Sequence, residues 1–328
     1  MKRQTPGLIV CLVLLIFLFG LSGCSTIGPA GKETAEPVQT GGHPESPVII
    51  DTEPTPDPSL QGKTISEDGA IGNWLVVIAG AQKFEFSDGK TALLIFYDFT
   101  NNSTESISPF LALNVSAYQR GEKLGSAHTF DYVPYQGNSG SHVRPGTTIR
   151  CSAIYQYNEE SGDVSIQICD WTGDTSVVVY KNYCVKELPG EIGTYEIAAV
   201  EAANFTDSLP REAEMDGCYL SIHTEASETT DCDGSDCLRI SIDFSNKGDS
   251  DKNFSEDFTT IAYQDGIELE KAFASESVPE DHNSWADIQP GSTLTLSMVF
   301  ELRSSSPVEI EISGEDGTKI GTKYILQQ

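Results

Sequence analysis

Two separated stretches of the chain alternate apolar with less apolar residues. Residues 238–244 place arginine, serine and aspartate between apolar side chains, and residues 93–99 have their apolar side chains in the same phase. A period of two is typical of a β-strand with one buried face, because successive side chains point to opposite sides of a sheet. No apolar period of helical type extends over a useful length, so the pattern predicts an all-β fold.

A single shift of 145 residues superimposes these stretches and several others. It carries Ala-Tyr-Gln-Arg-Gly at 117–121 onto Ala-Tyr-Gln-Asp-Gly at 262–266. It also carries Pro-Gly-Thr-Thr-Ile at 145–149 onto Pro-Gly-Ser-Thr-Leu at 290–294. One register that aligns several separated segments predicts two copies of one domain.

Short strands, turn residues and the size of each copy predict two tandem immunoglobulin-like β-sandwiches, at residues 69–183 and 188–328. The opening strand of the first copy, residues 71–77, matches residues 192–198 at a shift of only 121. We therefore expect an insertion in the second copy, at about residues 204–237. Because loops tolerate additions and carry binding residues, this insertion is a candidate functional segment; the alternative is a hairpin that only covers an edge strand.

The N-terminus has the pattern of a signal peptide. Lys2 and Arg3 precede an apolar run at residues 8–19 that is too short to span a bilayer comfortably. The residues Leu-Ser-Gly-Cys that end at Cys24 resemble a bacterial lipobox, which implies removal of residues 1–23 and a diacylglycerol on the Cys24 sulfur. The alternative is an uncleaved anchor with an incidental cysteine.

Residues 24–68 connect this N-terminus to the first copy. After the cysteine they are rich in proline and contain no aromatic residue, so they cannot bury enough apolar surface to offset the entropy of ordering. We expect a disordered tether that holds the folded domains away from the bilayer, on the extracellular face of the cell membrane.

The charge of the chain limits its partners. The formal net charge is −29, and so acidic a surface repels both nucleic-acid phosphates and anionic lipid headgroups. We expect no nucleic-acid partner and membrane association through the lipid anchor.

The cysteines after Cys24 leave several pairings open. Cys151 shares the phase of buried residues and is expected in the core, where it can remain a thiol. Cys232 and Cys237 flank four residues that suit a tight turn, and we predict a disulfide between them; a reduced pair is the alternative. The connectivity of the remaining cysteines stays open: Cys151, Cys169, Cys184 and Cys218.

The same turn concentrates carboxylates around a glycine. Asp231, Asp233 and Asp236 lie close to Gly234, and calcium prefers such oxygen ligands. The spacing departs from that of an EF-hand loop, and the alternative is an acidic turn whose residues suit the backbone geometry. Apart from calcium, no cofactor is expected.

The chain lacks the short motifs of common hydrolases and nucleotide-binding enzymes. No histidine maps onto another under the 145 shift, and His142, near Arg144, is the one considered for an acid–base scheme. Scattered histidines on a β-rich surface are usually solvated. We therefore predict that the protein is not an enzyme, with an envelope hydrolase or a solute-capturing lipoprotein as alternatives.

Three motifs carry a resemblance to a known family: Phe-Tyr-Asp-Phe-Thr-Asn-Asn at 96–102, Ala-Tyr-Gln-Arg-Gly at 117–121 and Val-Arg-Pro-Gly at 143–146. With their counterparts in the second copy, they resemble the telokin-like, immunoglobulin-like domains of unknown function found in tandem on Firmicutes lipoproteins. The resemblance covers both copies. It implies a β-sandwich on an envelope lipoprotein of a Gram-positive bacterium and supplies no catalytic residues.

We expect a lipid-anchored binding or structural module that presents two sandwiches to an envelope protein or glycan. Aromatic side chains can stack on sugar rings, and Tyr132 and Tyr135 lie in a loop-like Asp-Tyr-Val-Pro-Tyr stretch. These two tyrosines are the predicted ligand contacts.

Overall fold

A computed structural model provides the fold. It describes residues 64–66, 68–129, 131–172, 176–190 and 209–326. The predicted signal peptide, Cys24 and most of the predicted tether lie outside the described residues. No helix in the described part of the chain is long and apolar enough to cross a bilayer.

The first copy folds as two sheets that enclose one core. Its strands are β1 (Thr64–Ser66), β2 (Asp68–Ile71), β3 (Trp74–Glu85), β4 (Thr91–Asn101), β5 (Leu113–Gln119), β6 (Glu122–Lys123), β7 (Thr148–Tyr155), β8 (Val164–Asp170) and β9 (Val177–Tyr183). One sheet has the order β2-β3-β4-β7 and the other the order β1-β9-β8-β5-β6. A helical turn, α1 (Pro109–Ala112), leads into β5, and 3-10 turns occupy Gly137–Ser139 and Val185–Glu187.

The second copy has the same plan. Its strands are β10 (Glu212–Met215), β11 (Cys218–Ile222), β12 (Ser227–Thr230), β13 (Asp236–Asn246), β14 (Lys252–Asn253), β15 (Phe258–Gln264), β16 (Ile267–Glu268), β17 (Asp287–Ile288), β18 (Thr293–Glu301), β19 (Val308–Gly314) and β20 (Lys319–Tyr324). One sheet has the order β10-β11-β13-β12 with β18 also on β13, the other has the order β16-β15-β19-β20, and β14 pairs with β17. The turn α2 (Phe254–Asp257) leads into β15, and a 3-10 segment occupies Pro279–Trp285.

The strand order confirms the all-β prediction. In the first copy β3, β4 and β7 form one layer, β6, β5, β8 and β9 form the other, and β1 runs parallel to β9 at its edge. This is the division of strands between the layers of an immunoglobulin-like sandwich. One apolar core with residues from both sheets lies between the layers.

The residues predicted to be buried form the two cores. In β13 they are Leu238, Ile240, Ile242 and Phe244. In β4 they are Leu93, Ile95, Tyr97 and Phe99. Each large apolar side chain that leaves water contributes about 2 kcal/mol of transfer free energy, so the alternation decides which strand face lies inside. Cys151 is fully buried in the first core, as expected.

The outer faces of β4 and β13 differ. A second apolar cluster covers β4 and contains Ala92, Leu94, Phe96, Ala127, Val133 and Ile154. At the position of Leu94 the second copy has Arg239, whose Nη2 lies 3.0 Å from Asp281 Oδ2. The loop over this face therefore rests on apolar side chains in the first copy and on an ion pair in the second.

The two copies repeat element by element. The bounds of β4 and β13, α1 and α2, β5 and β15, and β6 and β16 coincide after a shift of 145 residues. The bounds of β8 and β19 coincide after a shift of 144. The predicted duplication is therefore confirmed at the level of single strands.

The described part of the predicted insertion, residues 209–237, is not an addition to the fold, and residues 192–198 and 204–208 lie outside the described residues. Cys218 of β11 pairs with Asn246 of β13, as Trp74 of β3 pairs with Asn101 of β4. The hairpin β10–β11 therefore takes the place of β2–β3, and β12 occupies the rest of the place of the long β3. The shift of 121 rested on a local likeness between short apolar segments, whereas the equivalence of strands is set by their pairing partners.

The first domain extends beyond its predicted limits of 69–183. The end of the predicted tether forms β1 and starts β2, with Thr64 opposite Val177 of β9. After β9, Val185 and Leu188 pack into the first core. Leu188, predicted to open the second domain, therefore belongs to the first.

Candidate functional site

The segment before β7 docks on the β15–β16 hairpin of the second domain. Val143 forms a β-bridge to Ile267, and Arg144 N donates to Gly266 O at 2.9 Å. The Ile267 side chain also packs against the core of the first domain. These contacts form a joint through which main-chain pairing continues from one sandwich into the other.

Arg144 supplies the positive charge at the joint. Its guanidinium carbon lies 4.0 Å from the centroid of the Tyr263 ring. The guanidinium also binds the Glu309 carboxylate, and Nη2 lies 4.0 Å from Glu311 Oε2. The Arg144 and Glu309 side chains are only 9% and 14% exposed, so solvent and salt screen this pair weakly.

His142 belongs to the same joint. Its Nδ1 lies 2.6 Å from Glu268 Oε2, and its backbone N donates to the same oxygen at 2.8 Å. Both contacts connect the two domains. The histidine considered for an acid–base scheme is therefore a joint residue in the structure.

Two other histidines lie on the surface of the second domain. His223 Nε2 lies 3.1 Å from Asp243 Oδ1, and His282 Nε2 lies 3.3 Å from Ser277 Oγ. Both pairs are exposed or half-exposed to solvent.

A cleft of about 270 Å³ opens between the two domains. Its lining comprises Tyr132, Val133, Tyr135, Gln136, Gly137 and Asn138 of the first domain, with Glu270, Glu301 and Arg303 of the second. Arg303 Nη2 donates to Asn138 Oδ1 at 3.2 Å and so connects the two walls. Phenol rings, an amide, a guanidinium and carboxylates therefore converge on one small volume.

The loop that carries the tyrosines is held by its backbone. Ser152 of β7 donates from Oγ to Pro134 O at 2.6 Å and from its backbone N to Tyr135 O at 3.2 Å. The Tyr135 ring packs edge-to-face on Phe96, with centroids 6.0 Å apart. Tyr132, by contrast, is 84% exposed. Tyr135 is thus a fixed part of the wall, and Tyr132 is open to solvent.

The second copy has a related loop without the tyrosines, and its backbone differs at one of the two positions: Tyr135 has a φ of +61°, whereas its counterpart lies in the 3-10 segment Pro279–Trp285. Asn138 and Asn283 are equivalent, and both donate through Nδ2 to a strand carbonyl at 2.7 Å. The positions of Tyr132 and Tyr135 hold serine and glutamate in the second copy. A loop at this place in the fold therefore does not require the two rings.

The structure places the predicted contacts Tyr132 and Tyr135 on the surface and brings them together with residues that the sequence analysis missed. These residues are Glu270, Glu301 and Arg303. They lie in the other copy, far away along the chain, and no motif connects them to the tyrosine loop. Binding by the tyrosines remains a prediction.

The predicted calcium residues lie at a β-hairpin turn. The Asp231 carboxylate accepts hydrogen bonds from Asp233 N at 2.9 Å and Ser235 N at 2.8 Å. Asp231 N donates to Ser235 O at 3.0 Å. In the equivalent turn of the first copy, Phe86 N donates to Lys90 O at 2.8 Å. Within the described residues, no group of three or more His, Cys, Asp or Glu side chains is arranged to hold a metal ion. The geometry favours the alternative of a structural turn.

The predicted disulfide between Cys232 and Cys237 is absent from the structure, where both are thiols. Cys237 is buried in β13 opposite Thr229 of β12. Cys232 lies in the turn, and its Sγ is 4.0 Å from Phe273 O. The hairpin register does not make the two cysteines cross-strand partners, so it does not direct their sulfurs together.

Comparison with protein families gives one match. The family model described as "Domain of unknown function (DUF5067)" matches residues 52–170 and 213–314. The two matched segments correspond to the two copies of the domain. A search of curated proteins finds no match.

Several solved structures are similar to this chain. A Staphylococcus aureus protein described as a lipoprotein has 14% identity and a TM-score of 0.32, over 39% of this chain and 94% of that one. An uncharacterized β-sandwich protein of Clostridium difficile has 17% identity and a TM-score of 0.28, over 35% and 90%. Red sea bream transglutaminase has 10% identity and a TM-score of 0.21, over 79% and 32%. These scores are low, and the fold assignment rests on the strand pairing of the chain itself.

Proposed function

The chain belongs to the DUF5067 family of domains of unknown function, and we propose that it is a lipid-anchored, extracellular binding module of the bacterial cell envelope. The cleft between its domains is the proposed site, and a saccharide is the proposed ligand. One observation carries this proposal: the Tyr132 and Tyr135 rings line the cleft, and Tyr132 is 84% exposed beside polar groups of the second domain.

The lining of the cleft suits a sugar. A pyranose ring has apolar faces, which stack on aromatic rings such as Tyr132 and Tyr135, and a rim of hydroxyl groups. Glu270 and Glu301 accept hydrogen bonds from hydroxyls, and Arg303 donates them. A few directional polar groups beside apolar walls are typical of small-molecule sites.

The volume of the cleft and the net charge of the chain restrict the class of saccharide further. The cleft, at about 270 Å³, is close to the lower limit of about 300 Å³ for small-molecule pockets, so it would hold a short segment of a longer glycan. The net charge of −29 repels polyanions. A neutral or amine-bearing saccharide therefore fits better than an acidic one.

The anchor part of the proposal rests on the sequence. Cys24 would carry the lipid, and the residues between it and Thr64 would connect the bilayer to the first strand. Loss of palmitate labelling in Cys24→Ala is the expected result. Unchanged labelling would contradict the proposed anchor.

A glycan array followed by calorimetric titration of N-acetylglucosamine oligomers tests the site on the chain from Ser25 onward. The variants Tyr132→Ser and Tyr135→Glu introduce the residues that the second copy has at these positions. Loss of one stacking ring should cost about 1–2 kcal/mol, or roughly tenfold in Kd. The matched control is Phe273→Ser, which changes a residue that is 87% exposed and outside the cleft lining.

Two outcomes would reject the saccharide. One is binding that both tyrosine substitutions leave unchanged. The other is an array without any bound glycan, combined with recovery of one envelope protein in a pull-down. The second outcome would favour a protein ligand for this module.

A further inference from the structure

Three apolar side chains project from one end of the first domain. Phe110 and Leu111 of α1 are 60% and 52% exposed, and Trp171 is 54% exposed. The rings of Phe110 and Trp171 lie 5.9 Å apart, and Trp171 N donates to Ala112 O at 3.1 Å. We call Phe110, Leu111 and Trp171 the end patch.

The second domain has polar residues at these three positions. They are Ser255, Glu256 and Glu315, as the coincident bounds of α1 and α2 and of β8 and β19 show. The same backbone therefore folds with serine and glutamate there. Exposed apolar side chains that a fold does not require are typical of an interaction surface.

The end patch lies at the end of the sandwich where the chain enters from its N-terminal side. Thr64 pairs with Val177 at the start of β9. In the same sheet Leu113 pairs with Asp170, the residue before Trp171. β1 and β5 are separated by three strand spacings, so Thr64 lies roughly 15 Å from Leu113, which directly follows α1, and both lie at the same end of the domain.

We propose that the end patch docks on the surface of the lipid bilayer that anchors the chain, which replaces the expectation from the sequence that the tether holds the domains away from the bilayer. This inference rests on the proposed lipidation of Cys24, because residues 25–63 then connect Thr64 to the membrane. The end at which the chain from the anchor enters the first domain would thus be the end that touches the bilayer. The second domain would form the other wall of the cleft.

The chemistry of the end patch suits the bilayer interface. Tryptophan is enriched at membrane–water interfaces, and apolar side chains such as those of Phe and Leu insert shallowly at the boundary between headgroups and acyl chains. The net charge of −29 excludes headgroup attraction as the driving force. Contact would therefore depend on apolar insertion and on the high local concentration that an anchor gives.

Bromolipid quenching tests this orientation. The chain from Ser25 onward is held on phosphatidylcholine vesicles by an N-terminal hexahistidine tag and a nickel-chelating lipid, which makes the test independent of native lipidation. Brominated acyl chains quench only tryptophan side chains that reach them. We expect quenching of Trp171, measured as the part of the quenched signal that Trp171→Phe removes.

Two variants and one change of attachment complete the test. Phe110→Ser combined with Leu111→Glu introduces the residues of the second domain, keeps Trp171 as the reporter and should abolish its quenching. Phe273→Ser, at an exposed aromatic residue outside the end patch, should leave the quenching unchanged. A hexahistidine tag at the C-terminus attaches the chain through the second domain and should leave Trp171 unquenched.

Three results of the quenching experiment would overturn the proposal. They are no quenching from the N-terminal attachment, equal quenching from both attachments, and quenching that survives the Phe110→Ser/Leu111→Glu change. Self-association in sedimentation without vesicles, lost in the same variant, would make a second copy the occupant and would also overturn it. Because native lipidation is tested separately by palmitate labelling, a failed anchor and a failed docking surface give different results.

Discussion

Arg144 of the first domain lies over the Tyr263 ring of the second, with its guanidinium carbon 4.0 Å from the ring centroid. The second copy has Gln289 at the position of Arg144, and the first copy has Ser165 at the position of Glu309. Each charged residue of this pair is therefore replaced by an uncharged residue at the equivalent position of the other domain. Although the two folds repeat, the two domains therefore contribute different charged residues to their contact and are not interchangeable there.

Arg144→Gln, which introduces the residue of the second copy, should loosen the joint. It leaves Glu309 and Glu311 facing the first domain without the guanidinium. Removing one partner of a buried ion pair costs about 3–5 kcal/mol, and Lys323, 3.1 Å from Glu309, should reduce that loss. We expect the unchanged chain to unfold in one calorimetric transition and Arg144→Gln to unfold in two, with a larger radius of gyration. Arg120→Gln, at an exposed arginine, should do neither; an unchanged transition in Arg144→Gln would contradict the role of this contact.

Alanine substitutions at two equivalent glycines distinguish the cost of backbone strain from the cost of disturbing the joint between the domains. Gly121 and Gly266 have φ values of +80° and +78°, and an alanine there should cost about 1–2 kcal/mol for the left-handed conformation alone. A Cβ on Gly266 would also overlap Thr147 Oγ1, whereas one on Gly121 would meet open space. Gly266→Ala should therefore lower Tm more than Gly121→Ala and should alone expand the molecule in solution scattering. Thr147→Ala should restore part of the loss; equal effects of the two glycine variants would refute this account.

Acid should destabilise the second domain through Asp281. Burial raises the pKa of this carboxyl, but hydrogen bonds from Ser297 and Val278 N and the charge of Arg239 outweigh burial, so the pKa lies below its usual 3.8. Such a group stabilises the fold above about pH 4, and this stabilisation is lost as the pH falls through the folded-state pKa. Asp281→Asn should flatten the dependence of Tm on pH below about pH 4. Asp249→Asn, at an exposed aspartate, should retain the slope; identical slopes in both variants would contradict the prediction.

Iodoacetamide should label Cys232 in the native chain and spare Cys151. Cys232 is exposed and Cys151 is buried, and burial raises the pKa of the Cys151 thiol to about 12. Because the thiolate is the reactive form, Cys151 should react only after unfolding, as measured by peptide mass spectrometry. Protection of Cys232 until a reductant is added would instead indicate the disulfide with Cys237 that the sequence predicts.

Asp231→Ala should lower stability by about 1 kcal/mol, because its carboxylate accepts two backbone hydrogen bonds within the turn. The loss of Tm should be the same in calcium and in chelator. Asp233→Asn, whose side chain is exposed, should have a smaller effect. A loss of stability confined to the calcium buffer would restore calcium as a ligand of this turn.

Local patterns were sufficient to predict the strands and their duplication. The alternation at residues 93–99 and 238–244 requires no knowledge of the partner strand, because burying the apolar face is favourable wherever the second layer comes from. The same shift then located β4 with β13 and β5 with β15. Tyr132 and Tyr135 were likewise chosen from their local loop sequence, and their role in binding stays a prediction.

The sequence by itself determined the secondary structure, the fold class and the two copies, because these depend on side-chain periodicity within a few residues. Only the tertiary structure decided that β10 and β11 open the second copy, that Arg144 meets Glu309, and that Tyr132 shares a cleft with Arg303. Strand partners and domain contacts depend on the fit between residues that are far apart along the chain. Periodicity contains no information about that fit.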